Sequence, residues 1–504
     1  MLNVGEFSIV SSADVTAPEG ESIESDCRHE GSGWQSEQDC ACPAVDLPFQ
    51  PEQVRPEQAR PYTVPPLYRE WLDDDSCLAF NPTGHAGVVL FNQPVSQLLG
   101  AFQQPRLLEE GIGLAGSSTY GLEAALRLVQ MDLLRPDGES VQIRLAAPHT
   151  LTAWLHVTND CNLRCPYCYV NKTPDRMEVE RGRGAVEAVF RSAERRGFEA
   201  VKLKFAGGEA SLNFPLVLSL FDHARSLAQA AGLGLDGVVL SNGVSLTRRM
   251  IGALQARGLR LMISLDGVGA VHDRQRPFAN GRGSFRFVER SLNFLEQEGL
   301  IPSISVTVSN RNLGSLPETV AYLLDRGLPF SLNYYRENDC SAGLNDLTFQ
   351  DEAVIAAHRA AFAVIRERLP SYSLLGVLLD RARLDAPHDR PCGAGQSYLV
   401  IDQVGGVASC PMTLGETFTN VSDADPLGTL MESRQGIQNL PVDEKEGCRD
   451  CSWRYWCAGG CPALTYRVTG RFDVKSPNCR IYRALFPEVL RLEGLRLMKY
   501  GRVH

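Results

Sequence analysis

The sequence predicts an α/β protein built around a partial (β/α)6 barrel. Six short apolar runs alternate with amphipathic segments over residues 150–336, a pattern typical of parallel strands joined by helices. The chain has 504 residues, 44% of them hydrophobic and 22% charged, which is enough apolar material for about two to four globular domains. Because such barrels carry their chemistry at the carboxyl ends of the strands, we expect functional residues directly after each apolar run.

The charge of the chain is concentrated in its first part. Net charge is −10, and residues 1–60 hold 12 acidic and 3 basic side chains, so the remainder is almost neutral. This balance argues against nucleic acid as a partner. No apolar run approaches the roughly 18 residues that span a bilayer, and the first residues lack a signal-type pattern. We therefore expect a cytoplasmic protein with no membrane partner.

The first 62 residues are predicted to form a disordered acidic tail. They are rich in Ser, Glu, Gly, Gln and Pro and show no sustained periodicity of a helix or a strand. The tail contains Cys27, Cys40 and Cys42, which we interpret as incidental. A zinc or regulatory role for the CxC pair formed by Cys40 and Cys42 remains an alternative.

Residues 63–140 are predicted to form a small domain of their own. The segment CLAFNPTGHAGVVLFN predicts two strands around a turn, and PVSQLLGAF predicts a helix. A second helix is predicted over YGLEAALRLVQMDLL, ending at Pro136-Asp137-Gly138. The pattern resembles the winged-helix leader-peptide recognition domain of ribosomal-peptide maturation systems. A purely structural N-terminal cap is the alternative.

The six apolar runs of the barrel are WLHVTN, VKLKFAG, GVVLSNG, LRLMISLDG, ISVTVSN and PFSLNYY. Directly after the first run stand Cys161, Cys165 and Cys168, in a CxxxCxxC arrangement. Fifteen cysteines in a reducing cytosol are unlikely to form disulfides, and clustered spacings there indicate metal binding or catalysis. Three thiolates can hold three irons of a [4Fe–4S] cluster and leave the fourth iron open. Structural zinc, the alternative, normally takes four ligands.

The CxxxCxxC motif and the residues after the later strands resemble the radical S-adenosylmethionine (SAM) superfamily. The resemblance implies that the open iron binds SAM and that one electron cleaves SAM to a 5′-deoxyadenosyl radical, which removes a hydrogen atom from the substrate. It also implies SAM contacts, with Arg276 pairing with the SAM carboxylate, Tyr167 packing near adenine and the glycines allowing a close approach of backbone. The implied contacts are Tyr167, Gly207, Gly208, Glu209, Ser241, Asn242, Ser264, Asp266 and Arg276.

The cysteines beyond the barrel resemble the SPASM extension of radical SAM enzymes that modify peptides and proteins. The resemblance implies two auxiliary [4Fe–4S] clusters over residues 391–482, preceded by a helical bridge at 337–390 and followed by a C-terminal helix at 483–504. Their ligands would be Cys392, Cys410 and Cys461 for auxiliary cluster I, and Cys448, Cys451, Cys457 and Cys479 for auxiliary cluster II. A zinc ribbon is the alternative.

Auxiliary cluster I lacks one protein ligand in this pattern. Cys340 is the candidate for that position, and a buried structural thiol is the other interpretation of this residue. An open iron that binds substrate would equally account for the seven cysteines. The sequence does not identify a catalytic acid or base.

These resemblances imply an oxidoreductase that modifies a ribosomally synthesised precursor peptide, by forming a crosslink or by excising part of the backbone. The partners would be a leader-bearing precursor, with the nitrogen-fixation-protein-like kind of leader favoured, and a flavodoxin- or ferredoxin-type electron donor. Formylglycine formation is an alternative, but the sulfatase maturases carry an Asp where this chain has Pro411. A non-catalytic iron–sulfur electron carrier or peptide-binding protein is a second alternative.

Overall fold

The structure, a computed structural model, describes residues 2–4, 6–12, 60–85, 87–116, 120–139, 143, 145 and 147–501. The strands are β1 (Leu2–Val4), β2 (Phe7–Ser11), β3 (Tyr62–Thr63), β4 (Tyr68–Trp71), β5 (Cys77–Phe80), β6 (Val89–Phe91), β7 (Arg135–Pro136), β8 (Thr150–His156), β9 (Ala200–Ala206), β10 (Gly234–Ser241), β11 (Arg260–Ser264), β12 (Ser303–Val308), β13 (Phe330–Tyr334), β14 (Tyr398–Ile401), β15 (Gly406–Ala408) and β16 (Thr419–Asn420).

The α-helices connect these strands and cover the central sheet. They are α1 (Gln93–Ala101), α2 (Leu108–Leu114), α3 (Gly121–Gln130), α4 (Val179–Arg196), α5 (Phe214–Ala231), α6 (Arg248–Gln255), α7 (Ala270–Gln275), α8 (Phe285–Gln297), α9 (Leu316–Asp325), α10 (Asp351–Glu367), α11 (Pro426–Glu432), α12 (Arg454–Cys457), α13 (Pro462–Thr469) and α14 (Cys479–Tyr500). None of the helices in these described ranges is long and apolar enough to cross a membrane.

A nine-stranded sheet forms the centre of the protein. Strands β8 to β13 lie side by side in chain order and are all parallel. The α/β class and the six predicted strands are therefore confirmed. The sheet continues beyond β8 with β14, which runs parallel to it, and with the antiparallel strands β15 and β16. This extension is not predicted by the sequence, and it brings the segment between Cys392 and Cys410 into the same sheet as the barrel.

The helices pack on the sheet through faces that their sequences define. In α4 the buried residues recur every three or four positions, which places them on one side of the helix. Buried residues of the barrel strands and of the helices that connect them belong to one apolar core. Because parallel strands need helical crossovers, this repeated packing brings all six carboxyl ends of the strands to one edge of the sheet.

A second sheet, of five strands in the order β1-β2-β6-β5-β4, lies in the N-terminal part. The prediction of a disordered tail is wrong for residues 2–4 and 6–12, because β1 and β2 belong to this sheet and β2 pairs with β6. Alternate residues of β2, Phe7 and Ile9, are buried in the core of the domain. The period-two pattern of FSIVS is the signal for this strand. Tyr62, at the other end of the predicted tail, is buried in β3.

The predicted hairpin and helices of this domain are present with altered ends. Strands β5 and β6 pair antiparallel, and α1 follows them. Helix α3 ends at Gln130 rather than at Pro136, because Asp132 adopts a φ of 58° and its carbonyl oxygen accepts a hydrogen bond of 2.7 Å from Asn81. Cys27, Cys40 and Cys42 lie outside the described residues.

The C-terminal helices join the N-terminal sheet to the rest of the molecule. Helix α14 starts at Cys479, four residues before the predicted start, and runs through Pro487. Trp456 is fully buried, with its ring centroid 4.6 Å from that of Phe80 and its Nε1 donating to the carbonyl oxygen of Pro82 at 2.8 Å. The cysteine-rich region and the N-terminal domain therefore share a packed interface. In the bridge predicted at 337–390, helix α10 is the main element.

Candidate active site

A cavity opens where the parallel strands β8 to β13 end. Eight of the nine residues implied to contact SAM line this cavity, together with the three cysteines that follow β8. These residues are Cys161, Cys165, Tyr167, Cys168, Gly207, Gly208, Glu209, Ser241, Asn242, Ser264 and Arg276. Asp266 does not line the cavity. It is fully buried behind Tyr167 and Arg276 and bonds to both of them.

The three cysteines after β8 face the cavity from a loop that is held at several points. Arg164 donates from Nη1 to the carbonyl oxygen of Cys161 at 2.7 Å, and its backbone amide donates to the carbonyl oxygen of Pro277 at 2.8 Å. Burial raises the pKa of Cys165 to about 12, and the nearby charge of Arg276 opposes that rise. Thiols buried in this way become thiolates only when a strong positive charge, such as a metal, replaces their protons.

The sulfurs of the described residues are not arranged around a single ion. No group of three His, Cys, Asp or Glu side chains in these ranges is placed to hold one metal ion. A mononuclear zinc site needs such convergence, whereas in an iron–sulfur cluster each thiolate binds its own iron. Cys161, Cys165 and Cys168 line one cavity, and their three thiols match the number of protein ligands that a [4Fe–4S] cluster with an open iron takes.

Gly207 and Gly208 are required by the backbone of the protein itself. A Cβ on Gly207 would lie 2.4 Å from the carbonyl oxygen of Thr158, and one on Gly208 would lie 2.3 Å from that of Asp160. In addition, the amide of Gly208 donates to Thr158 at 2.6 Å. The structural reason for these glycines is thus close packing of two loops, a reason different from the close approach to SAM that the resemblance implies.

Glu209 links the loops after β9 and β10. Its buried carboxylate accepts hydrogen bonds from the hydroxyl of Ser241 at 2.7 Å and from the backbone amides of Asn242 at 2.7 Å and Ser211 at 3.1 Å. Asn242 in turn donates from Nδ2 to the side-chain oxygen of Asn162 at 2.7 Å, inside the three-cysteine loop. These bonds fix the three-cysteine loop and the loops after β9 and β10 relative to one another.

Arg276 lines the cavity and has one side-chain donor without a partner. Its Nη1 donates to the hydroxyl of Tyr167 and, at 3.4 Å, to the carboxylate of Asp266, while the Tyr167 hydroxyl donates to the same carboxylate. Arg276 is only 9% exposed, and its Nε has no hydrogen-bond partner among the described residues. A buried guanidinium donor without a partner is unfavourable unless a ligand supplies one, and a carboxylate is the natural complement of its geometry.

The cysteines beyond the barrel fall into two groups. In the first group, burial raises the pKa of Cys410 to about 12, and the negative charges of Cys461 and Cys392 add to the rise. We call Cys392, Cys410 and Cys461 the inner group. These are the three residues that the resemblance implies as ligands of auxiliary cluster I.

In the second group, burial raises the pKa of Cys457 to about 12, and the charges of Cys448, Cys479 and Cys451 contribute to the rise. We call Cys448, Cys451, Cys457 and Cys479 the outer group. Cys340 is exposed, and its Sγ donates to the carbonyl oxygen of Tyr169 at 3.6 Å. The interpretation of Cys340 as a buried structural thiol is therefore wrong.

The cavity extends from the three-cysteine loop to the residues that follow Cys410. Pro411 and Met412 line it, and so do Tyr335 and Arg336 directly after β13. Lys172 also lines the cavity. Tyr335, Arg336 and Lys172 were not among the site residues predicted from the sequence. The rule that functional side chains follow each strand could have identified Tyr335 and Arg336.

Comparison with known proteins agrees with this geometry. Residues 155–323 match the radical SAM superfamily. The mycofactocin maturase MftC of Mycolicibacterium smegmatis is 26% identical over 359 residues, covering 68% of this chain and 85% of the relative. The PqqA peptide cyclase of Rhodopseudomonas palustris is 25% identical over 350 residues, covering 66% of this chain and 87% of the relative.

Among solved structures, native anSMEcpe with bound AdoMet and Cp18Cys peptide has a similar fold. Its TM-score is 0.57 at 18% identity, over 69% of this chain and 99% of that one. The matched segment 155–323 begins in β8 and contains the three-cysteine loop, the glycine pair and Arg276. The chain therefore contains a radical SAM domain over residues 155–323 and is an enzyme with peptide maturases among its homologues.

Proposed function

We propose that this enzyme modifies a ribosomally synthesised precursor peptide after removing a hydrogen atom from it. The observation that carries the proposal is a single cavity lined both by the three-cysteine loop and by Pro411 and Met412, which follow Cys410. A peptide segment in this cavity would touch both cysteine regions at once. The homology to mycofactocin maturase and PqqA peptide cyclase supports a peptide as the substrate.

The radical SAM domain implies a [4Fe–4S] cluster and SAM as cofactors. Cys161, Cys165 and Cys168 would hold the cluster, and the guanidinium of Arg276, which lines the same cavity, would pair with the SAM carboxylate. When bound, these cofactors supply a carbon-centred radical that abstracts a hydrogen atom. Glu209, Ser241 and Asn242 keep the loops around them in one arrangement.

The inner and outer groups would hold two auxiliary [4Fe–4S] clusters, reduced or oxidised through a flavodoxin- or ferredoxin-type partner. A second electron can then leave the substrate towards the inner group, which suits the formation of a crosslink, and backbone excision is the other outcome compatible with hydrogen abstraction. The residue directly after Cys410 is not a carboxylate but Pro411, which lines the cavity. Formylglycine formation would need a proton acceptor there, so we do not propose it.

The N-terminal domain would bind the leader of the precursor. Strand β4 lies at one end of its five-stranded sheet, and its residues alternate between half-buried and exposed. An extended leader can add to such an edge through main-chain hydrogen bonds, which keeps the segment to be modified at a high local concentration near the cavity. The sequence favours leaders of the nitrogen-fixation-protein-like kind.

The experiment that tests this function is co-expression with the peptide encoded by a short open reading frame beside the gene, followed by mass spectrometry of that peptide. We expect a loss of two hydrogen atoms for a crosslink, or a larger loss for excision. A peptide lacking its leader should remain unmodified. An unmodified full-length peptide, recovered with enzyme that cleaves SAM, would contradict this choice of substrate.

We expect Arg276→Lys to weaken SAM binding at least about tenfold, since a lysine keeps the charge but loses the planar fork of donors that fits a carboxylate. Equilibrium binding of SAM to anaerobically reconstituted enzyme measures the effect. Arg274→Lys is the matched control, because Arg274 is an exposed residue of the same segment. Equal SAM affinity in the Arg276→Lys variant and the wild type would show that this guanidinium does not bind SAM.

A further inference from the structure

Lys445 is a buried lysine in the cysteine-rich region that neither the sequence motifs nor the proposed function explains. Its side chain is 1% exposed, although lysine is rarely buried in proteins. The ammonium group Nζ donates to the backbone carbonyl oxygen of Ala458 at 2.8 Å. One hydrogen bond to a neutral carbonyl does not offset the free energy that a buried ammonium loses when its water is removed. A negative charge is therefore needed close by.

The position of Lys445 lies between the inner and outer groups. Its own carbonyl oxygen accepts a hydrogen bond from the amide of Cys448, an outer-group residue, at 3.1 Å. The carbonyl that its Nζ contacts belongs to Ala458, which stands between Cys457 of the outer group and Cys461 of the inner group. Lys445 therefore touches both segments that carry the two sets of thiols.

The charges around Lys445 come from both groups. Burial lowers the pKa of Lys445, and the thiol groups of Cys448, Cys392, Cys457 and Cys461 act in the opposite direction. Two of these cysteines belong to the inner group and two to the outer group. The negative charge that could compensate the buried ammonium is thus the charge of the thiolates themselves.

The backbone between Cys457 and Cys461 adopts a conformation that leaves room for the side chain of Lys445. Ala458 and Gly459 have φ angles of 44° and 75°, and a Cβ on Gly459 would lie 2.6 Å from Cδ and 2.9 Å from Nζ of Lys445. A left-handed conformation at a non-glycine residue is unfavourable and persists only where the surroundings hold it. The absence of a side chain at Gly459 leaves the space that Lys445 fills.

We propose that Lys445 is a positioning residue whose positive charge raises the reduction potentials of both auxiliary clusters. The proposal rests on the proposed function, because it assumes that the inner and outer groups each hold a [4Fe–4S] cluster. Reduction of a cluster adds one negative charge. A fixed positive charge in a region without water stabilises that added charge, and it does so for both clusters because it lies between them.

The test is a redox titration of the reconstituted full-length enzyme, followed by electron paramagnetic resonance at the signals of the two auxiliary clusters. In Lys445→Gln the amide can still donate to Ala458, but the charge is lost. We expect the equilibrium constant for one-electron reduction to fall about tenfold at both clusters, equivalent to a downward shift of about 59 mV. Lys445→Arg, which keeps the charge, should remain close to the wild type.

Lys475→Gln is the matched control. Lys475 also acts on thiols of the outer group, Cys448 and Cys479, but its side chain is exposed to water. Solvent screens the charge of an exposed side chain. This variant should therefore shift the reduction potential of the outer-group cluster only slightly and leave that of the inner-group cluster unchanged. Equal potentials in Lys445→Gln and the wild type, or a shift confined to one cluster, would overturn the proposal.

Iron content separates this proposal from the proposed function. A wild-type enzyme with iron for only one cluster would overturn both. Three clusters with potentials that do not respond to Lys445→Gln would overturn the redox role alone. If Lys445→Gln loses iron, Lys445→Met removes the charge with an apolar side chain of similar length. Loss of the auxiliary iron in both uncharged variants, with iron retained in Lys445→Arg, would assign Lys445 a structural role and also overturn the redox proposal.

Discussion

The double variant Cys161→Ala/Cys165→Ala should form no 5′-deoxyadenosine when it is incubated anaerobically with SAM and dithionite. The two thiols line the cavity beside Arg276, and their loss leaves Cys168 as the remaining cysteine of the loop. One thiolate cannot hold a [4Fe–4S] cluster, so about four iron atoms per chain should be lost while the iron of the inner and outer groups stays. Chromatography of the nucleoside product and an iron assay measure the two effects.

The matched control for this variant is Cys77→Ala. Cys77 is buried in the core of the N-terminal sheet, away from the cysteine groups that we propose as ligands. It should retain wild-type iron and SAM cleavage. Formation of 5′-deoxyadenosine by the double variant at the wild-type rate would mean that the cavity is not where SAM is cleaved, and the assignment of the three-cysteine loop would have to be abandoned.

Trp456→Ala should lower the free energy of unfolding by about 3–5 kcal/mol, the usual range for removing a large buried aromatic side chain. The ring packs on Phe80 of the N-terminal sheet, and its Nε1–H bonds to the carbonyl oxygen of Pro82. The substitution opens a cavity and removes a hydrogen bond across the same interface. Urea unfolding followed by far-ultraviolet circular dichroism measures the change in midpoint.

Trp71→Ala is the control for this prediction, since Trp71 is 44% exposed at the end of β4. It removes the same side chain with little loss of buried apolar surface, so its urea midpoint should stay close to that of the wild type. Equal midpoints for Trp456→Ala and Trp71→Ala would show that the interface between the N-terminal sheet and the C-terminal helices contributes little to stability.

The barrel was predictable because its signals are local. Each strand is a short apolar run, and in β10 the run GVVLS leads directly into Asn242. The same local order identified the residues at the cavity, because parallel strands place the residues after them at one edge. Asp266 follows this rule in sequence, yet it lies beneath Tyr167 and Arg276 instead of in the cavity. Which of two neighbouring polar residues faces a cavity depends on tertiary packing.

Other features depend on contacts between distant segments and have weak local signals. Strand β14 pairs with β8, about 250 positions earlier in the chain. Strand β2 has the alternation expected of a strand, but it is only five residues long and is followed by a long polar segment, which made the tail prediction wrong there. The burial of Lys445 has no signature at all in the residues around it, because it results from the fold of the loop at Ala458 and Gly459.

The pairing of β14 with β8 also limits how the two ends of the catalytic cavity can move. Tyr398–Ile401 are aligned with Thr152–Leu155 residue by residue, and β8 leads to Cys161 while β14 follows Cys392. A change in the gap between the two thiol sites would require this hydrogen-bonded ladder to break, which a hinge at a loop would not. The separation of the two thiol sites is therefore set when the chain folds, before any peptide arrives.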